Sequence, residues 1–394
     1  MGMRPLSSFE KTPNTAKKTL VITGGSAQMG PGFIKEGQNR GYEVVSCSRR
    51  IPAPENQGSV NWVNIKGSEI TSERFWVNLF QTHCSKSDKI AVVNTIGASV
   101  APIGQTLEEV NEKIVSAVLG ALNKLHCLTG QDVAIAHISS ICATLFPTDA
   151  YSQRSFYPQS IAYASGRQRA DDEIDKSGIP ATIVCPGFVF TYPRSGKIID
   201  TGHHYSPEQL ASMFIHLIAG SGKQILQPVY MHDIIVAVFN GLATGKNHLV
   251  NAVGPDVFTQ EEMLKFFVEL VGGRFKPIYI PLDLALIIAK YAPKGRLAPY
   301  AIDMLRHLEL PKHNTPLCEK EFKNLVGKPL TSMRGLYSNL ERSTIVLPKP
   351  PILEHVNEIL GIIWSNLEAR KDCANMMAKH GLPMCVEAVK AILS

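Results

Sequence analysis

The amino-acid sequence predicts an α/β fold: a doubly wound parallel sheet, followed by a small discontinuous lobe and a helical tail. Two observations carry that prediction. Six apolar, β-branched runs lie between Thr19 and Cys185, and segments of helical period separate most of them. After Pro186-Gly187 the alternation stops and shorter, irregular pieces follow.

Thr19-Leu20-Val21-Ile22-Thr23 opens the series with the pattern of a strand buried on both faces. A glycine-bearing turn, Gly24 to Gly30, leads into a helix ending at Asn39-Arg40-Gly41, where Gly41 suits the left-handed position past a helix C-terminus. Tyr42–Cys47 is the second strand and completes a strand–helix–strand unit. Ser59–Ile65 reads as the third strand, Lys89–Thr95 as the fourth and Asp132–Ser139 as the fifth. Ser72–Cys84 and Leu107–Thr129 are the helices among them. A loop rich in Pro, Ser and Tyr precedes a helix over Ser160–Lys176, stopped at Gly178, and Pro180–Cys185 is the sixth strand. Beyond it, Pro207–Ala219 predicts an amphipathic helix and Gln227–Tyr230 an extended piece. Asp233 is expected to N-cap a helix reaching Leu242, and His248–Val253 to add one more sheet strand. Helices are expected near Gln260–Leu270, Leu282–Lys290 and Pro299–Leu308. The expected organisation is a sheet domain over 18–190, completed by about 245–254; a lobe from 191–230 and 255–325; and a tail over 326–394.

With 394 residues, the chain can bury one large core or two moderate ones. Its net charge of +6 is mild and its basic residues are scattered, which argues against nucleic acid as a partner. The 8 cysteines lie singly, without metal spacing, and suit a reducing, cytoplasmic compartment. The first 18 residues lack the apolar core of a secretory signal, and no apolar run reaches the length of a membrane span. His203-His204 would diverge on any regular element, so no metal site is expected. The tail carries Ile352, Val356, Ile359, Leu360 and Ile363 at helical spacing. Packing on the body, or on a second chain in a homodimer or larger assembly, both stay open.

A tight turn from strand into helix leaves backbone N–H groups and a helix N-terminus facing outward, where a pyrophosphate can sit. Gly24, Ala27 and Gly30, spaced by two residues inside a complete strand–helix–strand unit, therefore point to a dinucleotide, with Gly25, Ser26, Gln28 and Met29 in the same turn. Ala27 places a methyl where backbone normally approaches phosphate. Arg49 and Arg50 follow the second strand; a carboxylate there would bind a ribose 2′-hydroxyl, whereas arginine suits a 2′-phosphate. NADP(H) is preferred on that ground, with NAD(H) left open.

Tyr163 and Arg167, at i and i+4, share a helix face after the fifth strand, and Ser139-Ser140 ends that strand at the ligand-binding edge. A phenol beside a permanent cation and a hydroxyl has the parts for proton transfer to a carbonyl. On residue types alone, such a pair is common on any helix. Tyr151 and Tyr157 either line a substrate pocket or pack, and Cys142 has no evident base to make it a nucleophile.

Over roughly residues 18 to 310 the sequence resembles the short-chain dehydrogenase/reductase superfamily, through TGGSAQMG, VVNTIG, ISSICA, YASGR with Asp171 behind it, and CPGFVF. The resemblance implies a Rossmann-type fold in which Ser140 and Tyr163 are catalytic and Arg167 takes the place of the family's lysine. It also implies that Asn64 bonds the adenine, and that Thr95, Gly97, Pro186 and Gly187 line the nucleotide. Arginine can hold the ribose and lend charge, but it does not shuttle protons. VVNTIG, QPVYMHDIIVAV and FKPIYIPLDLALIIA are similar to an extended, atypical subgroup of the epimerase/dehydratase type. That subgroup includes bacterial epimerase-like proteins and the accessory NADPH-binding subunit of respiratory complex I, where the nucleotide is structural. The implied function is an oxidoreductase or epimerase acting on a carbonyl, alcohol or sugar-nucleotide-like small molecule. The alternative is a non-catalytic NADPH-binding structural or assembly protein.

Overall fold

The computed structural model describes residues 16–97 (apart from 28, 54, 56 and 68), 106–145, 158–191, 217–270, 275, 277–280, 316–338 and 371. Seven strands form the central sheet: β1 Lys18–Thr23, β2 Glu43–Ser48, β3 Asn61–Asn64, β4 Lys89–Asn94, β5 Asp132–Ile138, β6 Ala181–Pro186 and β7 His248–Ala252. Their spatial order is β3-β2-β1-β4-β5-β6-β7, and every pairing is parallel. The order reverses between β1 and β4, so the carboxyl ends of those two strands open the crevice where such sheets bind ligands.

Alternation along the strands divides the core into two layers. Val21, Val92, Ile135 and Ile183 face Trp76 and Phe80 of α2 (Glu73–Cys84), Val118 and Leu122 of α3 (Leu107–Thr129), and Ile174 of α5 (Pro158–Lys176). Leu20, Ile22, Val93 and Val184 face Phe33 of α1 (Gly30–Asn39) and Phe239 of α6 (Met231–Thr244), joined by Phe322 and Val326. Between these lies α4 (Ile141–Leu145), a short helix directly after β5. A separate apolar cluster joins Phe188, Phe190, Leu226, Phe258, Phe267, Met333 and Tyr337. Residues 316–338 thus pack on the sheet domain at one end and on this cluster at the other.

Helix ends follow their local chemistry. Thr106 and Glu109 cap α3 reciprocally, and Gly130 closes it in the left-handed conformation, φ +68°. Gly41 takes the left-handed position expected after α1, φ +77°.

Three expectations are corrected. Asp233 is not an N-cap: Tyr230 holds that position, and Asp233 lies buried in the first turn of α6, where its Oδ2 accepts from Thr331 N at 2.7 Å. The helix expected to reach Ala219 does not: Leu217–Ala219 is a strand, parallel to Ile278–Ile280, because its apolar run finds a pairing partner. The third strand is shorter than Ser59–Ile65, spanning Asn61–Asn64. The helices expected at 282–290 and 299–308, Gln28, Tyr151, Tyr157 and His203-His204 lie outside the described residues, as does the tail beyond 338 except Lys371.

Among the described residues no helix is long and apolar enough to cross a membrane. Of the described cysteines, Cys47, Cys84, Cys142 and Cys185 are buried, Cys127 and Cys318 are exposed, and none forms a disulfide.

Candidate functional site

The glycine turn is folded tightly against β2. Gly24, at φ +81°, donates its N–H to Cys47 O at 2.7 Å, a conformation that favours glycine. Ala27 N and Gly30 N donate to Gly24 O and Ala27 O at 2.8 and 2.9 Å, closing two successive turns. Ser26 N donates to Ser48 Oγ at 2.8 Å. A Cβ on Gly30 would lie 2.1 Å from Gly25 O, and one on Gly25 would lie 1.8 Å from Ser46 Oγ. Only glycine lets α1 start this close to the strand. The α1 N-cap, Met29, makes no side-chain cap bond, and the first turn carries no acidic residue. The positive end of this helix is therefore uncompensated by its own side chains, while Ser26 and Ala27 are exposed beside it. A positive, exposed helix end of this kind suits an anion such as a pyrophosphate.

Arg49 and Arg50 lie exposed immediately past β2, and Asn64 is exposed at the end of β3. Thr95 locks the end of β1 to β4: its N–H donates to Thr23 Oγ1 at 3.1 Å and its hydroxyl donates to Thr23 O. Pro186 ends β6 opposite Ala252, and Gly187 N donates to Ala252 O at 3.4 Å.

The residues with chemistry converge at the carboxyl end of β5. Ser140 precedes α4, and its Oγ accepts from Cys142 N at 3.3 Å. Tyr163, half-buried, packs against Ile141, Cys142 and Leu145 of that helix. The Arg167 guanidinium carbon lies 5.3 Å from the Tyr163 ring centroid. Arg167 is buried, and its Nη1 donates to Ile138 O at 3.0 Å. Gly97 backs directly onto that guanidinium: a Cβ there would fall 1.6 Å from Nη2. The structure thus brings Tyr163, Arg167 and Gly97 together and sets Ser140 at the start of the adjoining helix.

Beneath them runs a row of buried polar side chains that the sequence reading did not find as a unit. Thr23, Asn94 and His137 stand in register on β1, β4 and β5. Thr23 Oγ1 donates to Asn94 Oδ1 at 2.6 Å, and Asn94 Nδ2 meets His137 Nδ1 at 3.0 Å. On the far side, His137 Nε2 lies 3.7 Å from Asp171 Oδ1, and Ser139 Oγ donates to Asp171 Oδ2 at 2.6 Å. Burial drives His137 down to about 3, helped by the Arg167 charge, so the imidazole is neutral. Burial drives Asp171 up to about 7, opposed by the Ser139 bond and Arg167. A signal was present: each of three apolar runs carries a polar residue at or one before its carboxyl end, Thr23, Asn94 and His137.

No protein-family model and no curated protein sequence matches the chain. Solved structures do resemble it in fold. A nucleoside-diphosphate-sugar epimerase from Staphylococcus aureus is 16% identical with a TM-score of 0.55, covering 82% of this chain and 100% of its own. UDP-glucuronic acid 4-epimerase from Bacillus cereus, solved with UDP-glucuronic acid and NAD, is 16% identical with a TM-score of 0.54, covering 83% and 98%. The Bordetella bronchiseptica enzyme WbmG, solved with NAD and UDP, is 12% identical with a TM-score of 0.55, covering 81% and 92%. The chain has the Rossmann-like α/β fold of these proteins. At such identities the likeness establishes the fold alone.

Proposed function

We propose that the chain is an NAD(P)-dependent oxidoreductase or epimerase of the short-chain dehydrogenase/reductase type, acting on a carbonyl, alcohol or sugar-nucleotide-like small molecule. The observation that carries this is convergence: the glycine turn, at the end of β1, and the Tyr163–Arg167 pair, held against Gly97 just past β4, border one switch-point crevice. The NAD-bound structures of the same fold support a nicotinamide dinucleotide there. In this reading Gly24, Gly25, Ser26, Met29 and Gly30, with Gln28, hold the pyrophosphate, Asn64 faces the adenine, and Thr95, Gly97, Pro186 and Gly187 border the nicotinamide half. Neutral Ser48 with exposed Arg49 at the end of β2 supports NADP(H) over NAD(H).

When bound, the nicotinamide supplies hydride exchange with a carbonyl or alcohol carbon. The chain's own residues do the rest. Ser140 orients the substrate oxygen by hydrogen bonding, and the Tyr163 hydroxyl gives or takes its proton. Arg167 stabilises the phenolate through its charge and holds the ribose.

One observation favours a second reading, a nucleotide held for structure alone. Arg167 is buried with Nη1 already spent on Ile138 O, and guanidinium does not release protons at working pH. Titration with NADPH and NADH by nicotinamide fluorescence, followed by a panel of aldehydes, ketones and nucleotide sugars, separates the two. Turnover that Tyr163→Phe abolishes while leaving nucleotide affinity intact supports the enzyme. Tight binding without turnover supports the structural role, and no binding of either nucleotide overturns both.

A further inference from the structure

The buried network around Asp171 has a direction, and the direction favours its ionised form. Asn94 Oδ1 accepts from Thr23 Oγ1 at 2.6 Å and from Ile96 N at 3.3 Å, so the amide nitrogen is the group facing His137. His137 Nδ1 must then accept, which leaves its proton on Nε2, the atom 3.7 Å from Asp171 Oδ1. Ser139 donates to the other carboxylate oxygen. Both Asp171 oxygens face donors, the environment of a carboxylate rather than a carboxylic acid. His137 Nε2, Asp171 Oδ1 and Arg167 Nε are buried without hydrogen-bond partners, so this cluster is held by charge more than by closed bonds.

The groups around Asp171 identify its partner. Asp172 on the same helix is like-charged, and Cys185 on β6 is a thiol that burial keeps protonated. Across α3, Glu112 is engaged by Arg169 and Ser116 by Glu173. Cys142 is the titratable residue of α4, and His137 of β5 is neutral. That leaves Arg167, one helical turn away and also buried, as the compensating cation; the two are related not by a direct ion pair but through consecutive residues of β5, Arg167 bonding Ile138 O and Asp171 bonding Ser139 Oγ.

We propose that Asp171, a positioning residue that touches no substrate, is the counter-charge of Arg167 and sets the site's preference between oxidised and reduced nicotinamide. This rests on the nucleotide reading above. An oxidised nicotinamide ring carries one positive charge and the reduced ring none. An uncompensated guanidinium beside the ring penalises the oxidised form; one with the Asp171 carboxylate a helical turn away penalises it less. Pyrophosphate, ribose and 2′-phosphate contacts are common to both forms and cancel in the ratio of their dissociation constants.

The test is to measure Kd for NADP+ and NADPH on the full chain, wild type and Asp171→Asn, at pH 8 and pH 6. Removing the Asp171 charge is expected to raise the ratio Kd(NADP+)/Kd(NADPH) roughly three- to tenfold at pH 8. In the wild type the ratio should rise similarly from pH 8 to pH 6, as the Asp171 carboxyl, held up to about 7, takes a proton. The variant's ratio should stay flat. If Asp171→Asn does not fold, Asp171→Ser takes its place beside the wild-type pH series. Binding with a ratio unchanged by both mutation and pH overturns this inference and leaves the nucleotide reading standing. No binding of either form to the wild type overturns both.

Discussion

Gly97→Ala is a small substitution with a calculable consequence. Gly97 has an ordinary backbone φ, so alanine brings no backbone strain; its methyl would lie 1.6, 2.1 and 2.4 Å from Nη2, Cζ and Nη1 of Arg167. No side chain tolerates such contacts, and the guanidinium must leave. Leaving forfeits the charged hydrogen bond to Ile138 O, worth about 1.5–3 kcal/mol, and the ring contact with Tyr163, worth about 0.5–2 kcal/mol. Reduced freedom of the unfolded chain returns about 0.4–1 kcal/mol. The expected net loss is about 1–5 kcal/mol. Urea denaturation of Gly97→Ala, Arg167→Ala and the double variant gives the coupling directly. In the Arg167→Ala background the guanidinium is gone, and the methyl should cost nothing or stabilise slightly. An equal cost in both backgrounds would mean that Arg167 does not occupy the space behind Gly97, and the geometry argued for the site would fail.

Gly30→Ala drives a Cβ to 2.1 Å from the Gly25 carbonyl oxygen, backbone that cannot swing aside, so both nucleotide affinity and thermal stability should drop; unchanged dinucleotide titrations would contradict the cradle. Asp171 lies near 7 in the fold against its ordinary 3.8, so its proton is held longer by the native state, and stability falls as pH rises from about 4 to about 7. His137 lies near 3 against 6.5, so its proton is held longer by the unfolded chain, and stability rises with pH from about 3 to about 6.5. The two slopes oppose each other in the wild type. His137→Gln should expose the fall and Asp171→Asn the rise, each by several kcal/mol in unfolding free energy from urea denaturation across that range, whereas parallel profiles for all three proteins would sink the assignment. Asp233→Ala removes the acceptor of Thr331 N and the carboxylate 3.7 Å from Lys328 Nζ, at about 1–3 kcal/mol; hydrogen exchange should rise across 328–332.

The sheet was legible because its strands are buried on both faces and read as unbroken apolar runs, from Leu20-Val21-Ile22 to Ile183-Val184-Cys185. The turn was legible because glycine spacing is local: Gly24, Gly25 and Gly30 each answer a constraint within one strand–helix–strand unit. What escaped was non-local. Asp233 looked like a cap because a polar residue beside an apolar helix usually is one; its partner, Thr331, is far along the chain. Leu217–Ala219 looked helical because its strand partner, Ile278–Ile280, gave no sign of itself from so far away. Thr23, Asn94, His137 and Asp171 were each visible as polar residues near strand ends or on a helix. Their register across β1, β4 and β5 follows only from the sheet order, which no single segment encodes.

That register also bears on which kind of molecule this is. A row of buried polar groups with three unsatisfied atoms costs stability relative to an apolar packing of the same shape, and buried charge pairs rarely repay their desolvation. Elsewhere among the described residues, buried polar atoms without partners, such as Ser46 Oγ on β2 and Thr182 Oγ1 on β6, sit among the aliphatic and aromatic side chains of the two layers. What sets the carboxyl end of β5 apart is that three such atoms, on His137, Arg167 and Asp171, fall in one cluster of ionisable side chains behind Tyr163. Sequences that otherwise agree with their fold at every level tend to break the local rules where a site requires it. A scaffold that only needed a bound nucleotide for rigidity has a use for the turn, but none for a neutral histidine, a buried carboxylate and a guanidinium arranged behind a tyrosine. The Tyr163→Phe turnover measurement is therefore the decisive one between chemistry at Tyr163 and a purely structural nucleotide.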